Sequence, residues 1–98
     1  METYKQIWSE CLAIIRDNIP EKHYQTWFDP VVPIKHEGND FTIQVPSLFF
    51  YEFLESQYAD LLYHTLVRVT GEAVNLYYQV VVDSTDKQSG KTVLKSDP

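Results

Sequence analysis

Ninety-eight residues, 44% of them hydrophobic and 14% aromatic, make one domain with room for a single modest core. The net charge is −6; beyond residue 82 Asp83, Asp86 and Asp97 balance Lys87, Lys91 and Lys95, which leaves 11 of the 14 acids against 5 of the 8 basic residues in the first 82. Affinity for nucleic acid comes mostly from phosphate neutralisation by Lys and Arg, so this balance excludes tight binding of DNA or RNA and points to protein partners.

The single cysteine, Cys11, has no internal disulfide partner. With no secretory leader and no long apolar run, the expectation is a cytoplasmic protein without membrane attachment.

From the N-terminus, apolar residues at 4, 7, 8, 11, 12, 14, 15 and 19 recur at helical spacing, with Thr3 as N-cap and Asn18 as the end. Pro20 suits the first position of a second, shorter helix whose apolar side is Tyr24, Trp27 and Phe28. Asp29-Pro30 stops it, because a residue before proline is pushed out of the helical region. Residues 31–35 and 41–45 read as two strands joined by a turn at Glu37-Gly38-Asn39-Asp40. Pro33 lacks a ladder donor, which assigns its strand to a sheet edge.

A long helix is expected from Pro46-Ser47, with Ser47 as N-cap, to about Thr70, ended by Gly71. Val74, Leu76, Tyr78, Val80 and Val82 then alternate as a third strand. Beyond 82 apolar content and periodicity vanish, and residues 83–98 read as the start of a disordered linker. The expected order is α-α-β-β-α-β, an α+β fold with a three-stranded sheet packed by helices over residues 1–82.

Motifs for small-molecule chemistry do not assemble. "SGKT" at 89–92 resembles the end of a phosphate-binding loop, but Thr85 stands where that motif needs its first glycine. His23, His36 and His64 fall in different elements, with no ligand spacing for a metal. Cys11, among Ile7, Ile14 and Ile15, reads as a small buried hydrophobe. Glu52 and Glu55 share a helix face as solvated acids rather than an acid/base pair. The expectation is no enzyme, and no cofactor or metal within this chain. The fold order is KH-like, but with glycines only at 38, 71 and 90 the GxxG clamp of single-strand RNA binders is absent.

Two stretches hold more large side chains than one core face accepts. In "SLFFYEF", 47–53, apolar residues fan round most of a helical turn. Phe50, Leu54, Tyr58 and Leu61 form the inward stripe, while Phe49 and Phe53 fall on the other side, beside Asp60. Phe49 is thereby expected at the surface, unless helix 1 or 2 covers it. On the first helix the apolar arc spans about 160°, wider than the ~100° a surface helix needs. Trp8 and Leu12 lie at its margin: Trp8 either closes the packing against helix 2 or anchors another copy or another protein.

"IWSECLAIIRDNIPEKHYQTWFDPV" and "FTIQVPSLFFYEFLESQY" resemble the N-terminal domain of the bacterial replication initiator family DnaA, over residues 4 to 82. The resemblance rests on a helix-1 tryptophan, a Pro-begun second helix ending in Trp-x-x-Pro (Trp27-Phe28-Asp29-Pro30), and the strand–Pro–helix passage from Pro46 to Tyr58. It implies a KH-like interaction module that mediates initiator self-association, loading of the replicative helicase and binding of initiation regulators. Weak contact with single-stranded DNA is also implied. By position, Trp8 matches the self-association tryptophan, with Leu12 beside it, and Phe49 a phenylalanine that contacts helicase and regulators. His23 stands where some members carry a partner-contacting Glu, and Ser47 where some carry Asn; these departures leave the detail of those contacts open. The family's ATP-binding and duplex-DNA-binding domains are not among these residues. Its linker, variable and unstructured, is matched by residues 83–98.

Overall fold

A computed structural model describes residues 3–82 and 90–96. Eight elements follow in order: α1 (Tyr4–Asn18), α2 (Glu21–Trp27), β1 (Val32–Glu37), β2 (Asp40–Val45), α3 (Leu48–Gln57), α4 (Ala59–Thr70), β3 (Asn75–Val82) and β4 (Gly90–Lys95). The strands form one mixed sheet in the order β1-β2-β3-β4. The hairpin β1–β2 is antiparallel and turns through Gly38 and Asn39; Gly38 has φ 58, the glycine position of a type II′ turn. β2 and β3 run parallel, so α3 and α4 form the crossover between them.

Helix ends follow the capping chemistry. The Thr3 hydroxyl accepts from Gln6 N–H at 3.2 Å, and the Ser47 hydroxyl from Phe50 N–H at 3.4 Å. Gly71 closes α4 in the left-handed region at φ 78, with its N–H donating to Val67. Pro20 sits one position earlier than expected, as the N-cap of α2.

The core lies between the helices and one face of the sheet. Phe41, Ile43 and Val45 of β2 are in register with Leu76, Tyr78 and Val80 of β3, and all six are buried. Ile7, Trp8, Cys11 and Ile15 of α1, Tyr24 and Phe28 from the α2 region, Leu54 of α3, and Leu62 and Leu66 of α4 pack against them, with Val31 and Val74. Cys11 is fully enclosed, and burial pushes its thiol up to about 12, with Glu10 adding to the rise.

Three expectations are corrected. The single long helix is two, because Tyr58 (φ −129, ψ 9) leaves the helical region between α3 and α4. One straight helix from Leu48 to Thr70 would run about 35 Å at 1.5 Å per residue. The chain instead bends, so that α3 lies on β2 and β3 while α4 packs against α1.

The sheet has four strands, not three. Residues 90–95, expected in the linker, pair antiparallel with β3 from Tyr77↔Lys95 to Val82↔Gly90. Residues 83–89 and 97–98 of that linker lie outside the described residues. Gly90-Lys91-Thr92, from the "SGKT" match, are extended in this edge strand.

Glu55 is the third correction. It is half-buried, and its Oε2 accepts from Tyr78 Oη at 2.9 Å and from Ser96 Oγ at 2.7 Å. Pro33, as expected, lies on an edge strand, and the β1–β2 register slips beside it.

Candidate functional site

The surplus of rings gathers where the end of α2 meets the start of α3. Tyr24 and Phe28, four residues apart, share the buried side of the α2 region; Trp27 lies ~100° round the helix from Phe28 and is only half-buried. The inward placement expected for Trp27 is therefore corrected: its ring faces α3 and stacks on Phe53 at 3.6 Å between centroids, tilted by 10°. Phe50 meets it edge-on at 5.1 Å and Phe49 leans on it at 5.7 Å.

Phe49 itself is 65% exposed and its neighbour Leu48 53%, the two most exposed large hydrophobic residues in the described chain together with Val93. Ser47 holds this end of α3 in place, since its hydroxyl is committed to the cap. The first turn of α3 carries no acidic residue, so the positive end of the helix dipole beside Phe49 is not offset within the helix.

His23 joins the patch from the other end. It is exposed, and its Nδ1 lies 2.8 Å from Tyr58 Oη. Tyr58 in turn packs against Phe53 and Phe28. A continuous run of rings thus leads from His23 through Tyr58, Phe53 and Trp27 to Phe49. Two sequence-expected positions, His23 and Phe49, share one surface, and Ser47 supports it.

Trp8 and Leu12 do not belong to that surface. Trp8 is 2% exposed and stacks on Phe41 at 6.2 Å, so of its two expected places the structure gives the interior. Its ring partner is Phe41 of β2. The indole Nε1 is buried without a hydrogen-bond partner among the described residues, as is Nε2 of His36, whose ring also packs on Phe41. Leu12 is half-buried on α1, packed against the core at its edge.

The sheet's other face is open. Across it β1, β2, β3 and β4 place Lys35, Thr42, Tyr77 and Lys95 in one row, beside a depression of about 220 Å³. Gln79 Nε2 donates to Gln44 Oε1 there at 2.8 Å. Among the described residues no three His, Cys, Asp or Glu side chains gather as a metal would require, and no helix is long and apolar enough to cross a membrane.

The Pro-begun α2 and the capped, ring-bearing α3 both fall within residues 5–68, which match the family model of the DnaA N-terminal domain. The chain belongs to the DnaA N-terminal domain family. It is 54% identical over 87 residues to the chromosomal replication initiator protein DnaA of Bacteroides fragilis, covering 89% of this chain and 18% of that protein. For the protein of the same name in Bacteroides thetaiotaomicron the identity is 49% over 79 residues, 81% of this chain and 17% of the relative. In Porphyromonas gingivalis it is 42% over 88 residues, 90% and 19%. The chain thus spans less than a fifth of the length of these DnaA relatives.

The reach of the family model separates two parts of the fold. Both ends of the aromatic patch, His23 and Phe49, lie inside the matched DnaA N-terminal residues, whereas β3 and β4 lie beyond them. Sequence reasoning missed Trp27, Leu48 and Tyr58 as members of the patch. The first two had a signal: three rings within five residues of a short helix cannot all face one core, and Leu48 precedes a phenylalanine already forced outward.

Proposed function

We propose that this domain is a protein–protein docking module of a chromosomal replication initiator, acting in the cytoplasm. Its proposed work is helicase loading and regulator capture through the patch around Phe49, together with weak self-association of initiator copies. The observation that carries this is the 65% exposed Phe49 beside Leu48, seated on a stacked Trp27–Phe53 platform. Apolar exposure on a preformed aromatic support is the anatomy of an interface hot spot. His23 and Ser47 frame it, the first as a polar contact at the rim and the second by fixing the helix end.

Self-association is assigned to the α1 surface at Leu12, with Trp8 shaping that surface from beneath rather than touching the partner. Weak contacts of this kind become effective when several tethered copies gather, because linkage raises their effective concentration. The domain boundary in this proposal moves from residue 82 to beyond Ser96, since β4 completes the sheet, and the ATP-binding and DNA-binding parts of the longer protein lie past it.

Phe49→Ala is the direct test. Binding to the replicative helicase, measured by calorimetry, should weaken at least tenfold while the melting temperature stays within about 2 °C. Unchanged binding would refute the site, and a large loss of stability would make Phe49 a core residue.

A second reading, weak single-stranded DNA binding, has the row Lys35–Thr42–Tyr77–Lys95 in its favour, a half-buried ring between two exposed cations on an open sheet. Glu37 and Asp40 in the adjoining row oppose it. Titration with a labelled oligonucleotide at physiological salt decides: micromolar or tighter binding, lost on Tyr77→Ala, favours this second reading.

A further inference from the structure

The fourth strand is held to the fold at few points. Of its described side chains, Thr92 and Lys95 are exposed and Val93 is 53% exposed, while only Leu94 reaches the core cluster. Immediately after it Ser96 is 6% exposed, with its N–H donating to Leu76 O at 2.7 Å and its hydroxyl donating to Glu55 at 2.7 Å. Two anchors at alternate positions, plus a ladder of main-chain bonds along β3, form the pattern by which an extended peptide is added to a sheet edge. Pocketed alternate side chains give such a complex its specificity.

The receptor side is built independently of β4. Leu76, Tyr78 and Val80 face the helices, and Tyr78 Oη donates to the same Glu55 oxygen that receives Ser96, so α3 and β3 hold the acceptor in position. Burial, with Glu55 adding to it, pushes the Tyr78 phenol up, so that its hydroxyl stays a donor. At the opposite edge, Pro33 and the slipped register of β1 blunt strand pairing.

We infer that the β3 edge, with Glu55, is a peptide-docking groove filled in cis by residues 90–96, and that it takes the same segment from a second copy in trans when the cis strand is displaced. The ligand class is an extended segment with an apolar residue and, two positions later, a hydroxyl that donates to Glu55. Every copy carries both groove and ligand. A tethered ligand dominates in a lone copy through its high effective concentration, and exchange between copies competes when they are gathered.

The test uses the 98-residue chain and a synthetic peptide of residues 90–96. The double variant Leu94→Ser, Ser96→Ala removes both anchors of the cis ligand and leaves the groove intact. Titrated with the wild-type peptide and followed by amide shifts at 76–82, it should bind at least tenfold more tightly than the wild-type chain, whose groove is filled. Equal affinity for the two chains, or binding to neither, overturns the inference. Native-state hydrogen exchange on the wild-type chain needs no variant. Amides of 92–95 should open well before those of 41–45, and exchange of both sets at one common rate overturns the inference as well.

Discussion

Trp8 and Trp27 sit on neighbouring helices, yet the faces they occupy give them opposite roles. Trp8 is sealed against Phe41, whereas Trp27 is half-buried and forms the platform under Phe49. Trp8→Ala should therefore cost about 3–5 kcal/mol, the range for deleting a buried aromatic ring. Trp27→Ala should cost visibly less in urea denaturation and yet weaken partner binding as strongly as Phe49→Ala. If Trp8→Ala left the denaturation midpoint in place, its assignment to the core would be wrong. The same burial makes Cys11 a sharp probe. With its thiol held near 12, only about one molecule in ten thousand is thiolate at pH 8, so a thiol reagent should label Cys11 only through opening of the domain. Adding urea below the unfolding midpoint should accelerate labelling, while fast labelling in buffer would contradict the enclosure.

Helix ends were readable at this level because capping is local chemistry: Thr3, Ser47 and Gly71 each announce a boundary within three or four residues. Gly71 adopts φ 78 and no atom outside its immediate chain neighbours lies within 4 Å of where a Cβ would stand, so Gly71→Ala tests conformation alone. It should destabilise by about 1 kcal/mol through the left-handed backbone, measured as a lowered denaturation midpoint with an unchanged slope. A neutral result would show that the cap relaxes. The break at Tyr58 had no such signal, since neither glycine nor proline marks it. It arises from tertiary demand: α3 serves the sheet and α4 serves α1, and a single axis does not satisfy both. That break also explains why the stripe Phe50–Leu54–Tyr58–Leu61 is only partly inward. The angular count restarts at Ala59, and α4 buries Ala59, Leu62, Thr65 and Leu66 instead. Phe49 was legible because it lies within one unbroken helix, next to its cap. β4 was not, because a strand with two inward anchors has almost no hydrophobic periodicity to read.

Across the molecule, the sheet's inner face packs on the helices, and both weakly acidic groups with resolved shifts point into that core. Burial raises the folded-state pKa of Cys11 from 9.0 to about 12 and raises that of Tyr78 above its ordinary 10.0. In each case the folded chain keeps a proton that the unfolded chain releases, so stability is whole below pH 9 and falls as pH rises beyond it. The loss begins with the unfolded cysteine near pH 9, is joined by the unfolded tyrosine near pH 10, and from Cys11 ends near pH 12. One retained proton corresponds to a slope of at most about 1.4 kcal/mol per pH unit. Cys11→Ala should flatten the fall between pH 9 and 10, where the tyrosine contributes little, and Tyr78→Phe should flatten it only above 10. Denaturant melts at half-unit steps from pH 8 to 11 measure both slopes. A wild-type curve that stays level through pH 10, or the same slope in the wild type and the cysteine variant, would mean that Cys11 reaches solvent in the folded chain. The tight core beneath α1, on which Trp8 rests, would then have to be redrawn.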